Sequence, residues 1–407
     1  MDLVGSRAGA AVSLLRVEVP ADSLFGPEHM PYGVFAPPGG DFRVGCRLGD
    51  MVLDLAALLD DSTFSQPAMN AFLAQGARRW REVRDRLRAL ADTALPVDAV
   101  YPASAVRMAL PVRIGDYVDF YASIDHATNL GRLFRPDSEP LLPNWRHLPV
   151  GYHGRAGTVV VSDTPIIRPR GQRRTASGTI DFGPSERLDI EAELGFVVGA
   201  GSTLGVPVTV DEFTEHVFGV ALVNDWSARD IQAWEYQPLG PFLGKSFATS
   251  ISAWITPLAA LTAARVPLPT QDPEPLPYLR GLDDFGLDIE LSVAWNGEVV
   301  AHPPYARMYW SPAQMLAHLT ANGASIRPGD LYASGTISGP EPTQRGSFIE
   351  LSWGGTQPIT VAGRSRTFLA DGDEVAITAT APGTEGRRIG LGRVGGRILP
   401  AHNTSRP

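Results

Sequence analysis

Apolar runs in this chain are short, and glycine or proline closes most of them. "GTVVVSDTPIIRP", "FGVALVND", "LDIELSVAWNGEVVA" and "TFLADGDEVAITAT" each offer enough residues for a strand and too few for a core helix. The 42 Gly and 35 Pro supply the punctuation, and Asp371-Gly372 in the last run marks a turn between two strands. Such a chain folds as a mostly β, α+β protein in which helices are accessories. Three helices stand out. In "SPAQMLAHLTANG" Ser311 caps, Pro312 suits the first turn, Gln314 completes a capping box and Gly323 ends the helix. Thr209 and Glu212 repeat the capping spacing in "TVDEFTEHV". In residues 78–90 Trp80, Val83, Leu87 and Leu90 recur at helical spacing with arginines on the other faces, as in a solvated amphipathic helix.

At 407 residues the chain is long enough for two domains. A boundary falls near residue 110, where a proline-bounded stretch ends in "LPVRIGDYVDF", dividing residues 1–110 from 111–407. The net charge of -9 argues against a general binder of nucleic acid or of anionic membranes. One cysteine, Cys46, rules out an internal disulfide framework and fits a reducing compartment. No apolar run approaches a membrane span, and "AGAAVSLL" is too short and poorly flanked for a signal peptide, so the cytoplasm is the expected location. Two motifs invite a nucleotide reading and fail it. "GPFLGKS" has only three residues between Gly240 and Gly244, where a phosphate-binding loop needs four, and "GLGRVG" runs into "RILP" with no helix to follow.

Chemistry gathers around acids in apolar or aromatic surroundings. Read as one strand, "RLDIEAELGFVV" puts Leu188, Ile190, Ala192, Leu194 and Phe196 on one face and Asp189, Glu191 and Glu193 on the other. Asp119 in "DYVDFYASIDH" and Asp225 at the end of "FGVALVND" are further acids that burial would penalise unless a partner or a cation met them. Oxygen donors without a Cys or His cluster favour Mg²⁺ or Ca²⁺ over zinc. Separate surface acids remain the alternative. His126 follows Asp119 by seven residues; Arg229, Gln232 and Tyr236 recur at about one helical turn. Lys245 sits in a glycine-rich turn, and Thr336 and Glu350 lie late in the chain. The mixture points to acid-base chemistry at a metal.

"DYVDFYASIDHATNLGRLFR", "LLPNWRHLPVGYHGRAG", "NDWSARDIQAWEYQPLGPFLGKSF" and "RPGDLYASGTISG" resemble the fumarylacetoacetase family, and the likeness runs from about "MPYGVF" to "GRILPA". The resemblance implies an N-terminal SH3-like barrel, a C-terminal β-roll of the fumarylacetoacetase type and a homodimer. It also implies hydrolysis of the carbon-carbon bond of 4-fumarylacetoacetate to fumarate and acetoacetate. Carried over residue by residue, it implies Asp119, Glu191, Glu193 and Asp225 as ligands of Mg²⁺ or Ca²⁺, with Lys245 and Thr249 close by. It makes His126 the general base, Glu350 its orienting acid, Arg229, Gln232 and Lys245 the oxyanion donors, and Arg135, Tyr152, Tyr236 and Thr336 the substrate contacts. Asp189 is not among the family's ligands and keeps the reading of a solvated surface acid. Before His126 this chain has "SID" where the family is more basic, so Asp125 is placed to raise the His126 pKa if it points inward. The first dozen residues, "MDLVGSRAGAAV", match nothing in the family and suggest a flexible extension or an overlong start.

Other functions remain open on sequence grounds. Hydrolysis or decarboxylation of acylpyruvates and related diketo acids is the nearest, although the smaller relatives that do this generally lack the N-terminal domain and the "DFYASIDHATN" and "LPNWRHLPVGYHGR" blocks. A non-catalytic metal-binding protein and a nucleotide-binding protein are the others.

Overall fold

A computed structural model describes residues 13–175 and 177–402; the expected N-terminal extension lies outside the described residues. The elements that matter here are β1 (Tyr32–Ala36), β2 (Arg43–Leu48), β3 (Met51–Asp54), α1 (Gly76–Ala91), β4 (Tyr117–Phe120), α2 (Ile124–Phe134), β5 (Gly151–His153), β6 (Ala192–Val198), β7 (Val217–Asp225), α3 (Arg229–Glu235), β8 (Thr249–Ile251), β9 (Trp254–Pro257), β10 (Glu290–Trp295), α4 (Pro312–Thr320), β11 (Leu331–Ala333), α5 (Phe348–Leu351), β12 (Glu374–Pro382) and β13 (Arg388–Leu399). The chain is mostly β with short helices, as its punctuated apolar runs predict.

One 13-stranded sheet runs through both halves. Its path is Val100–Pro102, β3, β2, β1, β9, β7, β6, β11, β4, β5, with β8 beside β7. The N-terminal strands therefore join the strands of the second half by backbone hydrogen bonds, with Gly33 opposite Trp254 and Tyr32 opposite Ile255. Side chains follow the same seam: Tyr32, Phe72 and Trp80 pack on Phe218 of β7 with ring centroids 5.3, 5.8 and 5.4 Å away. A second sheet orders Ile166–Ile167, β13, β12, β10 and Glu298–Ala301. "GLGRVG" lies inside β13, so its glycines serve a strand and form no phosphate cradle.

Every residue of β6 and β7 is buried, because both are apolar along most of their length and stand at the middle of the sheet. Residues 187–198 do not form one strand. Leu188–Asp189 pairs with Ser227–Ala228, and the pairing with β7 begins at Ala192. The helix signals in residues 209–216 and 311–323 hold, with both capping boxes formed and Gly323 at a φ of +88°. The arginine-rich helix α1 buries Trp80, Val83 and Leu87, but its polar face is not all solvated: Arg84 is buried and donates to the backbone oxygens of Glu28 and His29. The Asp371-Gly372 turn follows Leu369, a single bridge partner of Leu188, and not a strand. Helix α2 is an element the sequence reading missed, although Ser123 caps it by accepting from the His126 N–H and Asp125 lies in its first turn.

Gly33 is a tight point of the seam. A Cβ there would lie 2.7 Å from the Ala253 carbonyl oxygen and 2.8 Å from the Trp254 ring. Gly33→Ala is expected to cost about 1–3 kcal/mol, visible as a lower midpoint in denaturant or thermal melts; unchanged stability would mean that the seam yields.

Candidate active site

Four adjacent strands, β7, β6, β11 and β4, bring the acids to one end of the sheet. Ala333 of β11 stands opposite Asp119 of β4 and also opposite Gly195 of β6. Across the other edge of β6, Ala192 faces Asn224, and the Asp225 N–H donates to the Glu191 carbonyl at 3.2 Å. The outcome is a buried group of Asp119, Glu191, Glu193 and Asp225 whose ligand oxygens all lie within 4.8 Å of one another. The surface-acid alternative fails for these four.

Two cations touch the group. Lys245 Nζ lies 2.6 Å from both Glu191 Oε2 and Asp225 Oδ2, and Arg229 Nη1 lies 2.7 Å from Glu191 Oε1. Thr249 donates to Asp225 Oδ1 at 2.7 Å and Tyr152 to Asp225 Oδ2 at 3.3 Å. The protonation balance differs from acid to acid. Burial, and then Asp225, holds the Asp119 carboxyl well above the usual range. Burial, and then Asp119, does the same to Glu193. Burial would raise Glu191 also, but Lys245 and then Arg229 outweigh it and hold it low. Asp119 Oδ1 and both oxygens of Glu193 have no hydrogen-bond partner. Buried carboxylate oxygens left over in an all-oxygen cluster fit a hard divalent cation, and Lys245, whose ammonium has no lone pair, serves as a charge beside it.

The second half of the site is a histidine-carboxylate pair. His126 Nδ1 lies 2.7 Å from Glu350 Oε2, across a sequence separation of 224 residues. Glu350 also accepts from Asn129, Ser338 and Ser347 at 2.9, 2.9 and 2.7 Å. Burial would raise its pKa, but His126 and these donors hold it lowered, so Glu350 is a carboxylate. Asn129, Ser338 and Ser347 are residues that sequence reasoning missed; the one available signal was Asn129, three residues after His126 on a helix.

A cavity of about 510 Å³ joins the two halves. Asp119, His126, Arg135, Tyr152, Glu191, Arg229, Gln232, Tyr236 and Lys245 line it, with Gly335 beside Thr336. Glu350 and Glu193 stand behind this lining, while Asp225 and Thr249 line a neighbouring cavity of about 360 Å³ that shares Tyr152 and Lys245 with it. The Thr336 hydroxyl is buried without a partner. Arg135 ends α2 and donates to the Pro140 carbonyl at 2.8 Å, leaving its Nε buried and unpartnered. Tyr236 stacks on Phe134. Gln232 accepts from Arg229 through Oε1 at 3.1 Å, which leaves its amide N–H₂ to donate.

Asp189 overturns its reading as a solvated acid. It has no exposed surface and lies 2.7 Å from Arg229 Nε. Arg229 of α3 and the first N–H groups of α5 cover it. Asp125 is half-buried in the first turn of α2 under the influence of Arg307 and Glu350, and it has no hydrogen bond to His126.

The description "Fumarylacetoacetase N-terminal" matches residues 28–111, and "Fumarylacetoacetate (FAA) hydrolase C-terminal" matches residues 117–398. The fumarylacetoacetase of Homo sapiens is 46% identical over 413 residues, covering 95% of this chain and 98% of its own. The chain belongs to the fumarylacetoacetase family. The protein of that name from Arabidopsis thaliana is 43% identical with the same coverage. Among solved structures, the fumarylacetoacetate hydrolase of psychrophilic Exiguobacterium antarcticum superposes with a TM-score of 0.56 at 18% identity, over 92% of this chain and 100% of that one. Maleylpyruvate hydrolase from Sphingobium gives 0.54 at 16%, over 91% and 100%. At these identities the two structures speak for the fold. No helix among the described residues is long and apolar enough to cross a membrane.

Cation binding to this family member should displace protons. Asp119 and Glu193 have raised pKa values, so protons compete with the ion and affinity should rise with pH. Calorimetric titration of Mg²⁺ or Ca²⁺ in buffers of different ionisation enthalpy should report net proton release, reduced in Glu193→Gln. Zero release by the unmodified protein would contradict the raised values.

Proposed function

We propose that the chain hydrolyses the carbon-carbon bond of the β-diketone 4-fumarylacetoacetate to fumarate and acetoacetate, the last step of tyrosine and phenylalanine breakdown. The carrying observation is that His126, held by Glu350, lines the same cavity as Asp119 and Glu191 of the four-acid cluster.

Mg²⁺ or Ca²⁺ held by Asp119, Glu191, Glu193 and Asp225 would supply Lewis acidity to the oxygens of a diketone. The protein's own residues do the rest. Because Glu350 is ionised and accepts from Nδ1, His126 carries its proton there and presents a bare Nε2. That nitrogen takes a proton from water as the oxygen attacks the fumaryl-side carbonyl. The tetrahedral oxyanion meets N–H donors from Arg229, Gln232 and Lys245, all of which face the cavity. Collapse breaks the carbon-carbon bond, and the departing acetoacetate carbon takes up one proton, equal in number to the one His126 removed. Arg135, Tyr152, Tyr236 and Thr336 are the substrate contacts, with the Arg135 fork suited to a carboxylate.

The module boundary near residue 110, a homodimer and a cytoplasmic location complete the reading. Exposed Ile180, Phe182, Leu239 and Phe242 support a second copy as partner, and the net charge of -9 supports neither nucleic acid nor membrane as one.

Chelator-stripped protein should lose turnover and regain it with Mg²⁺ or Ca²⁺, followed by the diketone absorbance with fumarylacetoacetate against fumarylpyruvate. Full activity without metal, or a preference for the pyruvate, would defeat the proposal. His126→Ala should remain folded while kcat falls about 10²–10⁴-fold; activity equal to the parent enzyme would remove His126 as the base.

A further inference from the structure

Asp189 is a buried acid beside the cluster but not part of it. Its Oδ1 accepts from the backbone N–H groups of Ile190 and Phe348, both at 2.7 Å. Its Oδ2 accepts from the Ile349 N–H at 3.1 Å and from Arg229 Nε at 2.7 Å. The four donors come from three separate segments of chain.

Two of those segments end in the proposed machinery. With Nε fixed on Asp189, the Arg229 fork directs Nη1 to Glu191 and Gln232, while Nη2 is buried without a partner in a residue that lines the cavity. The Phe348 and Ile349 N–H groups open α5, whose preceding residue Ser347 makes no side-chain cap. Asp189 therefore caps this helix from 159 and 160 residues away in sequence. One residue further on, Glu350 meets His126 Nδ1.

We propose that Asp189 is a positioning residue that sets, with one carboxylate, both the Arg229 oxyanion donor and the Glu350 that orients His126. This rests on the hydrolytic reading above. A carboxylate is needed because it is acceptor-only: all four contacts are donors, and an asparagine amide would turn its own N–H₂ toward one of them. Misplacement by about 1 Å of a group that contacts reacting atoms can cost 10²-fold in rate, so the effect belongs in kcat.

The test is steady-state kinetics of Asp189→Asn on fumarylacetoacetate, alone and paired with Arg229→Gln or Glu350→Gln, together with amide hydrogen exchange over residues 345–352. Expected are a kcat at least tenfold lower with KM within threefold, paired losses smaller than the product of the single ones, and faster exchange at 348–349. A kcat within threefold of the parent enzyme, or losses that multiply in both pairs, would overturn it. Asp189→Glu keeps the charge and moves it by one methylene, and so covers the case in which Asp189→Asn does not fold. It should still lose kcat tenfold, and parental kcat in that variant would equally overturn the proposal. An unmodified enzyme without turnover would defeat the hydrolytic reading alone; exchange at 348–349 would then decide whether Asp189 holds the turn.

Discussion

Four carboxylates held out of water within 4.8 Å of one another are the constraint on which the rest of this structure turns. Such a group repels itself, and the low local polarity that strengthens any attraction strengthens the repulsion as well. Lys245 and Arg229 offset part of it at Glu191 and Asp225, and the raised pKa values of Asp119 and Glu193 record the part they do not. Holding the acids together takes a rigid frame. β6 and β7, buried along their whole length at the centre of a large sheet, provide it.

The histidine-carboxylate half of the site is built differently. Its acid, Glu350, has neutral donors in place of cations, two serines and an asparagine, and each fixes the carboxylate without neutralising it. Lys245 and Arg229 sit on the cluster side, where their charge lowers Glu191. One site thus keeps raised and lowered acids side by side: burial raises Asp119 and Glu193, Lys245 and Arg229 hold Glu191 low, and His126 with its fellow donors holds Glu350 low.

Much of this was legible in the sequence, and the remainder was missing for physical reasons. Short apolar runs and Gly/Pro punctuation specify strands, and capping residues specify the helices at 209–216 and 311–323, because those signals act over a few residues. The four acids stood out because an ionised group among apolar neighbours is costly alone. Their convergence was not visible, since pairing between β4, β11 and β6 is long-range, and only the family resemblance brought His126 and Glu350 together. Asp189 shows the limit most clearly. Alternation tells which side of a strand a residue faces and nothing about what covers that side. Arg84 misled for the same reason: a helical wheel places it on the polar face, and the carbonyls of Glu28 and His29 close over it.

The seam between β1 and β9 carries a further meaning. A strand at the rim of a sheet displays a row of unpaired N–H and C=O groups that will accept any stray chain as the next strand. Without the N-terminal strands, β9 would be such a rim, only one strand removed from β7, which carries Asp225. The N-terminal module therefore acts as a permanent edge seal, and it protects the strands that carry the acid cluster from foreign pairing while contributing no residue to the cavity lining.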